Sequence, residues 1–207
     1  MRSYAGPVTR LYSIIRFTIL RQPFLEEIDQ YLPKRGRILD LGCGFGLFSL
    51  YFGSLHPERR IVGVDLNQRR IDMATLSARS LGLANVRYQA MDVLEWSDEQ
   101  RFDAIYFLDL VHHLPAPSVP EFLTKVRSLL KPGGILLIKD VADRPFLKML
   151  FTLVLDRLMV GMDPIRYWPP DELTDLLESL GFTVFRHRMT DFLPYPHVLY
   201  VAPLGGA

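Results

Sequence analysis

The chain has 207 residues, 49% of them hydrophobic, which is enough for one sizeable core but a squeeze for two full domains. Its 24 Lys and Arg balance 23 Asp and Glu, so no global field draws it toward nucleic acid or anionic lipid and any basic recognition has to be local. The single cysteine, Cys43, excludes an internal disulfide and, set within a glycine turn, predicts a reducing, cytoplasmic setting.

Residues 11–20 are apolar and follow Arg2 and Arg10. Arg16 interrupts this run, no small-residue cleavage site follows it, and it is too short to cross a bilayer, so neither a signal peptide nor an anchor is expected. Arg2, Arg10, Arg16 and Arg21 do not gather on one helical face, so peripheral membrane contact is not favoured either.

Apolar periodicity predicts a helix over residues 23–32, with Phe24, Leu25, Ile28, Tyr31 and Leu32 on one side. A short strand over 37–41 ends in glycines, and strand patterns recur at 60–66, 86–91, 102–108 and 135–139. Residues 48–52, 71–81 and 119–130 have the spacing of crossover helices. Near-continuous apolar strands alternating with helices over short links predict an open, doubly wound α/β fold with a parallel sheet covered on both faces. After 140 the rhythm breaks: 141–169 carries no strand pattern, 173–180 reads as a helix stopped by Gly181, and 182–188 with 197–202 reads as a closing pair of strands. The organisation expected is one domain over 1–207, with N-terminal helices over 1–35, a core over 36–140, an insertion over 141–169, and a helix and strand pair over 170–207.

The run Leu39-Asp40-Leu41-Gly42-Cys43-Gly44-Phe45-Gly46 lies between a strand and a helix. Alternate glycines let the backbone turn tightly and approach a ligand, and the next helix offers its amide-rich end. Alone, such a loop is also consistent with a tight turn that binds nothing. Asp65 ends the second strand about twenty residues on, where a carboxylate can accept from both hydroxyls of a ribose; the plain alternative is a turn aspartate ahead of Asn67. Asp92 ends the third strand, where it could accept from an adenine amino group with Met91 and Val93 flanking the ring, or equally cap a turn.

With Phe102-Asp103, Leu108-Asp109-Leu110-Val111-His112-His113-Leu114 and Leu130-Lys131-Pro132-Gly133-Gly134 in the same order, the chain resembles the class I S-adenosylmethionine-dependent methyltransferases over roughly residues 36–140. The likeness is to the branch acting on small molecules, including quinone and lipid precursors. The resemblance implies a seven-stranded, mostly parallel, Rossmann-like sheet with an antiparallel last strand, and S-adenosyl-L-methionine as cofactor. It places Asp40 and the loop of Gly42, Cys43, Gly44 and Gly46 on the methionine portion, Asp65 and Leu66 by the ribose, Met91, Asp92 and Val93 by the adenine, and Phe107 and Leu108 along the sulfonium. A nicotinamide-dependent oxidoreductase is the alternative enzyme, disfavoured because its phosphate loop wants a third glycine where Leu47 stands. A catalytically silent cofactor-binding protein is the other alternative.

Methyl transfer is an in-line displacement in which orientation supplies most of what the protein must add, and a base is optional. For an acceptor of high pKa, His113 is the first candidate base, with Asp140 second and His112 beside them; each is equally able to fix its loop. The adjacent histidines lack a ligand cluster at recognisable spacing, so no metal is expected. Nucleic acid is not expected as acceptor, because Asp109-Leu110-Val111 replaces the Asn or Asp, Pro-Pro and aromatic run of the nucleic-acid amine enzymes. The apolar stretch over 144–162 is either a buried helix or a lid over a small, hydrophobic, aromatic or lipid-like acceptor. Tyr167-Trp168 and Tyr195-Pro196-His197 add aromatic groups near the expected rim. Oligomeric state leaves no mark in the sequence.

Overall fold

The computed structural model describes residues 22–141, 167–189 and 197–205. The stretch over 144–162, Tyr195, Pro196 and the N-terminal arginines lie outside them. Seven strands form one sheet: β1 (Gly36–Leu41), β2 (Arg59–Asp65), β3 (Val86–Ala90), β4 (Phe102–Leu108), β5 (Leu130–Val141), β6 (Phe185–Arg188) and β7 (His197–Pro203). Their order is β3-β2-β1-β4-β5-β7-β6, with β7 antiparallel to both neighbours and the rest parallel.

The helices are α1 (Gln22–Asp29), α2 (Leu47–Leu55), α3 (Gln68–Ser80), α4 (Val119–Leu129) and α5 (Pro170–Ser179). Right-handed crossovers run one way from β1 through α2 to β2 and the other way from β4 through α4 to β5, which puts α2 and α4 on opposite faces. Two cores result. Phe24, Ile28, Phe48 and Phe52 pack with Ile38, Tyr106 and Leu137 on one face, and Phe122, Val126, Leu173 and Leu177 pack with Leu39, Phe107 and Ile138 on the other. Alternation along each strand supplies both faces, so nearly every residue of β4 and β7 is buried.

Several boundaries differ from the sequence pattern, and the first two differences have a polar cause. The periodicity of the first helix runs to Leu32, yet α1 ends at Asp29. There the fully buried Arg59 gathers the chain: its guanidinium donates to Asp29 Oδ1 (2.5 Å) and to the carbonyls of Pro33 (2.8 Å), Phe52 (3.1 Å) and Leu32 (3.3 Å). Removing one partner of such a buried pair typically costs about 3–5 kcal/mol. Helix α3 begins three residues before the first apolar position because the Asn67 side chain caps it, accepting from Arg70 N–H at 3.2 Å. Strand β5 begins at Leu130, opposite Phe102, and a register shift absorbs the Lys-Pro-Gly-Gly turn that reads as a loop. The edge strand β6 starts at Phe185, Phe182 making an isolated bridge to Leu204.

Candidate functional site

In a doubly wound sheet a crevice opens outside the carboxyl ends of the strands where the winding reverses, here between β1 and β4. One wall is the glycine loop. Gly42 and Cys43 N–H both donate to the Val64 carbonyl (2.8 and 3.0 Å) and Gly46 N–H to that of Cys43 (2.9 Å). This coil needs left-handed backbone at Gly42, Gly44 and Gly46 (φ 71°, 55° and 72°). Neighbours add their own demand at Gly42, where a Cβ would lie 2.9 Å from Leu110 Cδ1. At Gly44 a Cβ would meet nothing within 4 Å, so that part of the loop faces open space. Helix α2 starts directly after Gly46, its first amides unspent by the helix. The Cys43 side chain is buried, and desolvation with the charges of Asp40 and Asp65 pushes its thiol well up, so it stays protonated and unreactive.

Asp40 lies beneath the loop rather than in it, 2% exposed, and accepts from the Tyr106 hydroxyl at 2.9 Å. Burial is the main cause that pushes its carboxyl up to about 7, against the opposing bonds from Tyr106 and Ser49; the charge of Asp65 pushes the same way as burial. Tyr106 escapes a motif search, although a tyrosine inside an apolar strand demands a partner and the register sets it opposite Asp40.

Asp65 closes β2 at the rim. Its Oδ2 accepts from Gly44 N–H and its Oδ1 from Asn67 N–H, each at 2.9 Å, so one carboxylate ties the glycine loop to the start of the next crossover. Just beyond β3, Asp92 accepts from Leu94 N–H at 2.9 Å, the capping arrangement the sequence left open, and Met91 N–H donates to the Asp65 carbonyl at 3.0 Å. Leu66 is 73% and Met91 46% exposed, large apolar groups beside two carboxylates. Open space over Gly44, carboxylates on adjacent strand ends and uncovered apolar side chains fit an adenosyl group with a cationic tail. Val93 and Phe107 are turned elsewhere: both are buried in the core of the α4 face, Phe107 with its ring 5.5 Å from that of Phe122, and Leu108 is buried on the other face. These three support the crevice from below.

The second wall comes from β4 and β5. His112, 1% exposed, pairs through Nδ1 with Asp140 Oδ1, while its N–H donates to Asp140 Oδ2 at 3.3 Å. Val141 N–H also donates to Asp140 Oδ1 (2.7 Å). The structure thus joins two of the three candidate base residues, and the pair contains His112; His113 is half-buried beside it with ring centroids 4.1 Å apart. Tyr167 leans on the same imidazole, 5.5 Å between centroids. Lys139, 1% exposed and absent from every sequence motif, donates to Asp109 Oδ1 at 2.5 Å. Among the described residues no group of three or more His, Cys, Asp or Glu is placed to hold a metal ion, and no helix is long and apolar enough to cross a membrane.

A seven-stranded doubly wound sheet with a reversed strand between β5 and β6, and a glycine coil bonded to the acidic end of β2, define the Rossmann-like methyltransferase class. A model of the family described as methyltransferase domain matches residues 14–187. A ubiquinone biosynthesis O-methyltransferase of Coxiella burnetii is 34% identical over 166 residues, which cover 76% of this chain and 68% of that protein. Among solved structures, an O-methyltransferase family protein from Burkholderia thailandensis superposes with TM-score 0.75 at 21% identity, over 91% of this chain and 57% of that one. The magnesium protoporphyrin IX methyltransferase of Synechocystis PCC 6803, solved with bound S-adenosylmethionine, superposes with TM-score 0.69 at 17% identity, over 89% of this chain and 79% of that one. The chain belongs to this methyltransferase-domain family and is an S-adenosylmethionine-dependent methyltransferase.

Proposed function

We propose that this chain methylates a hydroxyl of a small aromatic acceptor of the quinone-precursor type, with His112 as the base. The observation that carries the reading is the buried His112–Asp140 pair at the ends of β4 and β5, beside the crevice. The name of the Coxiella relative, a ubiquinone biosynthesis O-methyltransferase, points the same way.

The bound cofactor supplies a methyl group on a positively charged sulfur, which becomes a neutral thioether on transfer. Asp65 holds the ribose and Asp92 the adenine amine, with Leu66 and Met91 against the ring; the loop amides around Gly44 and the carboxyl of Asp40 serve the methionine end. On the acceptor side, Asp140 fixes the His112 ring through Nδ1 and stabilises the imidazolium, so that the other ring nitrogen takes the hydroxyl proton as the O–C bond forms and the S–C bond breaks. Tyr167 and His113 give the acceptor ring flat neighbours.

Incubating the purified protein with deuteromethyl-labelled cofactor and a panel of catechols, aromatic amines and carbon acids, read by mass spectrometry, tests this. Label on a catechol oxygen is expected. Label confined to nitrogen or carbon would sink the O-methyl reading, and label on nothing would favour a silent cofactor-binding protein.

A further inference from the structure

Asp109, the residue that leaves β4, is the one non-glycine residue with positive φ (61°) among those described. Aspartate tolerates this left-handed conformation better than most residues but still pays for it, and such strain persists only where surrounding bonds hold it. Two bonds tie this turn to a single residue of β5. Asp109 N–H donates to the Lys139 carbonyl at 2.8 Å, and the Lys139 ammonium donates to the Asp109 carboxylate at 2.5 Å. Lys139 itself is buried on the α1 face, its ammonium 5.7 Å over the Phe24 ring.

The turn held in this way decides where the following residues go. Leu110 is laid against the glycine loop, its Cδ1 2.9 Å from the point a Gly42 Cβ would occupy. Two residues further on, His112 meets Asp140, which follows Lys139 on the same strand. Consecutive residues of β5 thus grip the β4 turn from opposite faces of the sheet.

We infer that Lys139 is a positioning residue of the transfer site. By pinning Asp109 it sets the β4 turn against both the cofactor loop and Asp140, and so fixes the spacing between the two halves of the crevice. The part that concerns His112 rests on the proposed function; the contact with the glycine loop does not.

The test therefore avoids methyl transfer. Hydrogen–deuterium exchange is followed by mass spectrometry in the wild type, in Lys139→Met and in the pair D109N/K139M, with calorimetry of S-adenosylhomocysteine binding alongside. In Lys139→Met, residues 109–114 are expected to exchange about tenfold faster while β1 and β2 keep wild-type rates, and the ligand binds several-fold more weakly. The D109N/K139M pair keeps a residue that tolerates the left-handed turn and removes the carboxylate's charge together with the ammonium's. It is expected to regain thermal stability without regaining slow exchange in 109–114, and it gives the same readout if Lys139→Met is too unstable to purify. Unchanged exchange, exchange that rises equally in every segment, or full recovery in the pair overturns the inference. Failure to methylate any acceptor bears on the proposed function alone.

Discussion

The two walls of the crevice are built by different means. On the β1–β2 side the polar work is done by backbone amides folded around glycines, with one carboxylate, Asp65, closing the coil. On the β4–β5 side it is done by buried side-chain pairs, His112 with Asp140 and Lys139 with Asp109, whose members lie about thirty residues apart in the chain. A backbone cradle tolerates change in side chains and suits a ligand that never varies. Side-chain pairs are where an acceptor can be respecified without disturbing the cradle.

If the walls are independent, breaking one should spare the other. His112→Gln is expected to lower the turnover of a catechol acceptor by about 10²–10⁴-fold while S-adenosylhomocysteine affinity stays within about twofold, measured by steady-state kinetics and calorimetry. A matching loss of cofactor affinity would show that the walls are coupled through more than Lys139. Asp65→Ala is expected to weaken cofactor binding by about 1.5–3 kcal/mol through lost charged hydrogen bonds, and unchanged affinity in calorimetry would remove Asp65 from the site.

Asp40 sharpens the comparison through pH. Its native carboxyl, pushed up to about 7 from an ordinary value near 4, binds a proton that the unfolded chain releases. Its contribution to stability is therefore full below the unfolded value and falls as pH rises through about 7, by up to about 1.4 kcal/mol per pH unit across that window. Urea unfolding of Asp40→Asn should show that slope flattened, with the variant gaining on the wild type toward alkaline pH; parallel profiles would place the proton elsewhere. The smallest effect is expected from Tyr106→Phe, which removes a bond that favours the ionised Asp40. A loss of about 1 kcal/mol at alkaline pH, shrinking in acid, is the expected outcome of the same measurement.

The same division explains what could be read from sequence. Glycines at alternate positions and an acid at the next strand end are local signals, so the β1–β2 wall and its ligand class were legible. The strand rhythm likewise carried the doubly wound sheet and its reversed strand. The β4–β5 pairs form only when distant residues meet, and nothing near Lys139 announces Asp109. His113 and His112 are indistinguishable as neighbours in a loop; a short 3-10 turn (Val111–His113) directs His112 inward to Asp140. Phe107 lies near the carboxyl end of β4 and Val93 in the turn after β3, and both side chains are buried in the core of the α4 face. Nothing in the sequence around Arg59 marks it, and only the Asp29 carboxylate and the carbonyls of Leu32, Pro33 and Phe52, met in the fold, make it a buried staple.

Strand β7 lies inside β6 although the ribosome makes it after β6, and it pairs with β5 at seven positions from Ile135 to Val141. Until residues 197–203 have emerged, β5 remains an open edge and β6 has no neighbour to join. The β1–β2 cradle, complete in the nascent chain far earlier, has no such wait. In chain order the residues of the cofactor seat are therefore made before those that square up the end of β5 carrying Lys139 and Asp140, and a chain truncated before the seventh strand is expected to expose a sheet margin of the sort that aggregates.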